Sequence, residues 1–546
     1  MKPFAHDARL ETFPVIEAAP ARARIRVLAA AVLVVLTILG ARAVQLSFAG
    51  DPTAPRAQRS GAAQPARADI VDRNGILLAT TVRAFVLTAA PDRVWNARET
   101  AAALVRKFPD LDRAATERRL ADRSRQLVYL RRGLTESQRQ GVMSLGLGGI
   151  GFETEERRAY PNGALAGHAL GYTSLDLNPL AGVERGMDRA IRASGEDPVR
   201  LSIDVRIQYA AEAELARAAQ ISQARGGAVV VMNARTGEVL AMASWPALDP
   251  NNPGEATRAQ TRNRVSGERY EMGSTIKPFT AAMALELGLT NEGERFDLAQ
   301  AFDVDGHSIV DHERTPPSSG VREILVHSSN KGAAMLALRV GRQRQRTYLE
   351  RLGLLRASPL QLAENAAPIA PRMQSRLDVA TLGFGYGLAT SPAALAGAYT
   401  VFANGGAYVR PTLLAYKDGD PIERAPVFSP DTTRRVISMM RATVMRGTGR
   451  EADVPGLEIA GKTGTAEKLG GTAGYDQDSM FSSFAAIFPA SDPRYVIVLA
   501  LDEPARTAAT GGHATGGAVA ARPVGRIAAR IAPMLGLRAA SPAGAE

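Results

Sequence analysis

YEMGSTIKPF, Tyr270 to Phe279, sets a serine and a lysine three positions apart, Ser274 and Lys277. The chain carries 59 arginines and only 7 lysines, so a lysine here is a departure from its own habit. Arginine supplies surface charge equally well, but guanidinium does not release its proton at working pH, whereas a desolvated amine does. Residues i and i+3 share one face of a helix. The spacing therefore predicts a serine nucleophile with a lysine base. Pro278 is close enough to a helix start to be tolerated, which puts Ser274 near a helix N-terminus, where backbone N–H groups favour negative charge. S-x-x-K alone has only two fixed positions, and other segments have to corroborate it.

Around this segment the pattern is of strands. GGAVVVMNARTGEVLAMAS (Gly226–Ser244) predicts two strands about a turn at Asn233–Gly237. LEIAGKTGTAEK (Leu457–Lys468), FSSFAAIFPA and RYVIVLALDEP predict three more, mostly antiparallel. Gly517 to Leu537 reads as a helix with Arg522, Arg526 and Arg530 on one solvated face. Upstream, DIVDRNGILLATTVRAFVLTA predicts a hairpin turning at Asn74-Gly75. Ala101 to Leu145 carries helical periodicity with charged faces, as in AAALVRKF and ERRLADRSRQLVYL.

At the N-terminus, residues 1–24 are polar and Ala/Pro-rich, and the uncharged run Val27–Ala41 comes next, bounded by Arg26 and Arg42. Fifteen helical residues span ~22 Å, short of a ~30 Å hydrocarbon core, but Arg42 can snorkel, and Val44, Leu46 and Phe48 extend the run. Residues 25–49 thus read as an uncleaved membrane anchor, with a signal peptide cut after Ala41–Ala43 as the alternative. The arginine excess before the run keeps the N-terminus cytoplasmic and exports the rest. Gly50–Ala68 reads as a linker rich in Ala, Pro and Arg.

The 546 residues accommodate two or three domains, and a net charge of +11 with pI near 10 raises the question of nucleic acid. The arginines are spread along the chain without an aromatic-interleaved basic cluster, so nucleic-acid binding is not expected. A basic surface beside anionic lipid or wall polymer fits instead. The absence of cysteine excludes disulfides, thiolate metal sites and cysteine nucleophiles. His307 and His312 lack the partners of a metal site and read as solvated loop residues, so neither metal nor cofactor is expected.

HSSN supplies Ser328 and Asn330 at S-x-N spacing, and GKTGT supplies Lys462, Thr463, Gly464 and Thr465. The order S-x-x-K, S-x-N, K-T-G resembles penicillin-binding proteins and class A β-lactamases. RADIVDRNGILLA, RRAYPNGALAGHALGYTSLD, LSIDVRIQ, RNRVSGERYEMGSTIKPF, FANGGAYVRP and LDEP followed by GGAVAA extend that resemblance to the class B penicillin-binding proteins, in particular the division-specific, FtsI-type peptidoglycan D,D-transpeptidases. Ala68, Met272 and Ala394 depart from a usual Gly, Pro and Gln. The resemblance implies an α+β fold in four parts. These are a cytoplasmic tail (1–24), a single transmembrane helix (25–49), an elongated periplasmic α/β pedestal (50–195, with linker 50–68) and a transpeptidase domain (196–546). The last would be an antiparallel sheet flanked by helices, with an all-α subdomain.

The resemblance also implies roles. Ser274 attacks the carbonyl between the two D-alanines of a stem peptide, with Lys277 as base. An ordinary lysine titrates near ~10.4, so the surroundings of Lys277 must favour the neutral amine; burial, the helix N-terminus and Lys462 would all do so. Ser328 passes a proton to the departing D-alanine, Asn330 holds the substrate amide and Lys277, and Lys462, Thr463, Gly464 and Thr465 bind the substrate carboxylate. Backbone N–H groups of Ser274 and Thr465 form the oxyanion hole. Donor and acceptor stem peptides, β-lactams, the membrane and division proteins, including a polytopic lipid-II glycosyltransferase, are the implied partners, at the inner membrane of the division site. A D,D-carboxypeptidase or β-lactamase competes with this reading, although no E-x-x-L-N follows Asn330. A catalytically silent division scaffold is the alternative from another class; the intact serine and both lysines argue against it.

Overall fold

The computed structural model describes residues 30–39, 67–469 and 475–537. Residues 30–39 are helical and exposed, and among the described residues no helix is long and apolar enough to cross a membrane. Most of the anchor expected over 25–49 lies outside the described residues, as does most of the linker.

From Arg67 the chain first builds a mixed layer. Strand β1 (Ile70–Val71) turns back antiparallel into β2 (Leu77–Ala89), as the Asn74-Gly75 signal predicts. The turn is fastened by Asp72, whose Oδ1 accepts from the N–H groups of Asn74 (2.7 Å) and Ile76 (2.8 Å), while Gly75 takes φ +88°, a conformation that favours glycine. Helices α1 (Ala97–Lys107) and α2 (Arg113–Ala121) come next, each opened by a side-chain cap, Asn96 and Asp112.

One segment departs from its helical periodicity. Val128–Leu134 is not helical but a strand, β3, paired with β2, and only Glu136–Met143 returns to helix as α3. Val128, Leu130 and Leu134 are buried while Tyr129 is exposed, a two-residue alternation that the helical repeat of the flanking charges masks. Pairing with β2 decides the conformation. Strand β4 (Ile150–Ala159) pairs with β2, and β5 (Val199–Arg200) runs parallel to β1.

A buried ionic cluster ties the start of this layer to the short helical turns beyond β4. Glu184 accepts from Arg67 Nε at 3.0 Å and from Arg158 Nε at 2.7 Å, and Arg67 also contacts Asp188. All three of Arg67, Arg158 and Glu184 are almost wholly buried.

The second part is a five-stranded antiparallel sheet. Its members are β6 (Gly226–Asn233), β7 (Val239–Trp245), β8 (Ala460–Leu469), β9 (Tyr475–Phe488) and β10 (Tyr495–Asp502), in the order β8-β9-β10-β6-β7. β6 is nearly all apolar because both of its faces are covered. Val229 and Val231 face α4 (Val205–Ile221) and the late helix α10 (Ala521–Ile531). Val230 and Met232 face the core shared with α5 (Lys277–Glu286) and α8 (Pro392–Ala403). Between α5 and α8 lie the helices α6 (Val321–Val326) and α7 (Asn330–Val340); α9 (Pro430–Arg446) packs against β8.

The arginine face of α10 is not simply solvated. Arg522 Nε donates to Glu451 at 2.8 Å, and Arg530 and Arg526 lie 3.2 and 3.9 Å from the carboxylate of Glu214 on α4. An amphipathic repeat shows which face is polar, and only the fold shows what meets it.

Candidate active site

Three segments separated in sequence converge at the free edge of β8. The first is a tight 3-10 turn, Gly273–Ile276, running directly into α5. It is clamped from below: Tyr399 Oη donates to the carbonyl of Thr275 at 2.7 Å, and Thr275 Oγ1 to that of Met272 at 2.8 Å. Ser274 stays partly exposed, whereas Lys277, one turn on, is 1% exposed.

The second segment is the connection from α6 to α7. Ser328 adopts φ +57°, a left-handed conformation uncommon for a residue with a Cβ and worth roughly 1–3 kcal/mol of strain. Two anchors hold it there. Ser329 caps α7 by accepting from Gly332 N–H, and the Asp311 carboxylate accepts from Ser329 Oγ (2.9 Å) and from the N–H groups of Asn330 (2.6 Å) and Lys331 (3.0 Å). Sequence reasoning misses Asp311. It lies upstream of Ser328 in a segment without periodicity, so no motif marks it.

The third is β8, an edge strand with one side against β9 and the other toward the serine turn. Contact there is close. A Cβ on Gly464 would sit 2.3 Å from Ser483 Oγ and 2.6 Å from the carbonyl of Met272, so only glycine fits between sheet and turn. A Cβ on Gly273 would lie 2.6 Å from the carbonyl of Thr465 and 3.2 Å from its nitrogen, which places the backbone of Thr465 beside that of the serine turn.

Ser328 is the hub. Lys277 Nζ donates to the Ser328 carbonyl (2.5 Å), to its Oγ (3.2 Å) and to Asn330 Oδ1 (2.7 Å). From the opposite side Lys462 Nζ donates to the same Oγ at 2.9 Å, and to the carbonyl and Oγ1 of Thr463 at 3.1 Å each. Ser328 Oγ thus bridges two buried amines, leaving its own proton free to be donated elsewhere.

Burial sets the electrostatics. Desolvation, reinforced by the neighbouring Lys462 and opposed by Asp311, pushes Lys277 well below the ordinary lysine range. Desolvation also lowers Lys462, to about 7, against the pull of Glu313.

The structure brings Ser274, Lys277, Ser328, Asn330, Lys462, Thr463, Gly464 and Thr465 together. It adds Thr448, whose hydroxyl lies 2.8 Å from that of Thr463, and Gly516, whose N–H donates to Thr465 Oγ1 at 3.0 Å. GTG at Gly447–Gly449 is too common a tripeptide to mark Thr448. His307 and His312 are exposed, and among the described residues no group of three or more His, Asp or Glu is placed to hold a metal ion.

Fold and site together have the build of an active-site-serine enzyme whose titratable partners are lysines. Residues 227–528 match the penicillin-binding protein transpeptidase domain, and residues 62–185 the penicillin-binding protein dimerisation domain. The chain is 41% identical to the probable peptidoglycan D,D-transpeptidase FtsI of Caulobacter vibrioides, over 87% of its own length and 82% of that protein's. It is 32% identical to the peptidoglycan D,D-transpeptidase FtsI of Escherichia coli K12, over 84% and 82%. The crystal structure of penicillin-binding protein 3 from Mycobacterium tuberculosis complexed with aztreonam superposes with a TM-score of 0.69 at 26% identity, covering 88% of this chain and 98% of that one. The chain belongs to the penicillin-binding protein transpeptidase family.

Proposed function

We propose that this protein cross-links septal peptidoglycan as a serine D,D-transpeptidase, taking D-Ala-D-Ala stem peptides through an acyl-enzyme. The observation that carries the roles is the single Ser328 hydroxyl held between two buried amines beside the serine turn. Lys277, as the neutral amine its burial favours, takes the proton of Ser274 as Oγ attacks the carbonyl between the two D-alanines. The N–H groups of Ser274 and Thr465 receive the developing oxyanion. The tetrahedral intermediate collapses, the C–N bond breaks, and Ser328 hands a proton to the departing amine of D-alanine while drawing one from the lysines. An amine of a neighbouring stem peptide then attacks the ester, loses its proton through the same relay and regenerates Ser274.

Lys462, Thr463 and Thr465 receive the terminal carboxylate. Its arrival raises the proton affinity of Lys462, restoring a cation that in turn keeps Lys277 neutral. Substrate thereby arms its own site. Asn330 orients the substrate amide, and Gly464 keeps β8 near enough to the serine turn for both halves to act on one peptide.

Residues 25–49 anchor the chain in the inner membrane, N-terminus inside, with residues 50–195 carrying the transpeptidase region toward the wall and the anchor meeting a polytopic lipid-II glycosyltransferase of the division machinery. N-terminal sequencing of the mature protein tests the anchor; a start near Val44 refutes it.

Penicillin tests the chemistry. A drug adduct mapped to Ser274 and persisting for many minutes is expected, and none in Ser274→Ala. Rapid release of hydrolysed drug transfers the protein to the β-lactamase class, and no adduct at all to the silent scaffold.

A further inference from the structure

On the face of the sheet opposite α5, the helices α4 and α10 leave a cavity of about 80 Å³. Glu214, Arg217 and Ile221 line it from α4, at spacings of three and seven that share one helix face. Arg526 lines it from α10, Val519 from the short helical turn Gly516–Val519, and Thr510 from the loop before that turn. The loop is closed by reciprocal bonds between Thr507 and Thr510, so the cavity has fixed walls on every element that builds it.

Two of these groups are left over by the fold. Glu214 is 8% exposed, and its Oε1 accepts from Arg530 at 3.2 Å. Its buried Oε2 accepts no hydrogen bond, with Arg526 standing off at 3.9 Å. A buried carboxylate oxygen without a donor is rare, because nothing returns the hydration it has lost. Arg217, one turn further along α4, has no hydrogen-bond or ion-pair partner among the described residues. Its guanidinium is cationic at every working pH, and its planar fork matches a carboxylate. Arg522, also at the cavity, differs in being held already by Glu451. An acceptor lacking a donor and a cation lacking an anion thus line one small space.

That pairing selects the ligand. Water answers Oε2 but leaves Arg217 unmatched, and an inorganic anion answers Arg217 but is repelled by Glu214. A molecule that answers both carries an ammonium and a carboxylate. Cβ atoms three residues apart on a helix are about 5–6 Å apart, so the two charges belong close together on the ligand. A cavity of about 80 Å³ leaves room for only a small side chain beside them, against Ile221 and Val519. We propose that this cavity binds a small free α-amino acid, its ammonium on Glu214 and its carboxylate on Arg217. D-Alanine, released in the proposed transpeptidation, is such a molecule, and only its choice as the natural ligand rests on that function. The occupant would sit one short turn from the substrate strand, since Val519 shares its turn with Gly516, whose N–H holds Thr465 Oγ1.

The test uses the full-length chain in detergent, first acylated at Ser274 with penicillin so that the active site is filled. D-Alanine, propionate and ethylamine are titrated in turn and their binding is read by saturation-transfer NMR. D-Alanine is expected to bind the acylated protein, and each half-molecule to bind about tenfold more weakly, the worth of one charge-assisted hydrogen bond. Arg217 is exposed and unpartnered, so Arg217→Ala should fold normally and weaken D-alanine by about tenfold, with Arg217→Lys retaining part of the affinity. Ala509→Leu narrows the cavity without touching a charge and should weaken binding too. No binding to the acylated protein, which would leave water as the occupant, equal binding of propionate, or D-alanine binding unchanged in Arg217→Ala overturns the proposal. Failure of penicillin to acylate Ser274 overturns the transpeptidase reading instead; the same titrations on the untreated chain, with Arg217→Ala beside it, then decide the cavity.

Discussion

Two buried clusters of cations sit in this molecule and are built on opposite rules. At the base of the first layer, Arg67 and Arg158 converge on Glu184, with Asp188 beside them, so each charge has a counter-charge. At the active site, Lys277 and Lys462 converge on a hydroxyl, with no carboxylate bonded to either amine among the described residues. Both clusters are dry. A guanidinium cannot shed its proton to escape that cost and must be paired; an amine can, and burial turns it into a base. In a chain with 59 arginines, two of the seven lysines thus stand at the place where charge has to come and go.

The largest effect is expected from erasing that distinction at its catalytic end. Lys277→Arg keeps a cation where a vacant lone pair is required, and should slow acylation by roughly 10²–10⁴-fold or to nothing, as read with a fluorescent penicillin on protein whose circular dichroism is unchanged. Glu184→Gln breaks the opposite rule, leaving Arg158 without its carboxylate partner and Arg67 with Asp188 alone. It should destabilise the fold by about 3–5 kcal/mol in a denaturant titration, with the acylation rate per folded molecule preserved. Lys462→Arg retains charge in a larger fork, displaces the substrate by part of an ångström, and should slow acylation by about 10²-fold. Near-normal acylation in Lys277→Arg would refute the base assignment.

The smallest effect is a displacement along the pH axis. Acylation needs neutral Lys277, so the rate should fall as pH drops through a pKa held well below the ordinary lysine value. The Lys462 cation is one cause of that depression. Removing it in Lys462→Met should raise the Lys277 pKa and shift the acid limb to higher pH, whereas Lys462→Arg should not shift it upward. A limb that stays in place in Lys462→Met would mean that desolvation alone sets the base.

Much of this is legible in the chain because the chemistry tolerates few residue types. Ser274, Lys277, Ser328, Asn330 and Lys462 stand in motifs whose order is informative, and the strands of the sheet are marked by runs such as GGAVVVM, apolar on both faces. What escapes is relational. Asp311 acts by accepting hydrogen bonds at the start of a helix that begins nineteen positions later, and Thr448 by facing Thr463 across a strand edge. Val128–Leu134 looks helical because its alternation is short and its strand partner lies some forty residues upstream. Local pattern is blind to a distant neighbour.

Gly464 has a consequence for how such a protein changes under selection. With the Met272 carbonyl on one side and Ser483 on the other, this position has no viable neighbour in sequence space. A lineage pressed by a covalent drug therefore cannot narrow the gap between sheet and serine turn at this position. Its open routes run through positions that, unlike this one, have room for another side chain. Adaptive substitutions in relatives of this chain should fall at such positions and leave the glycine untouched.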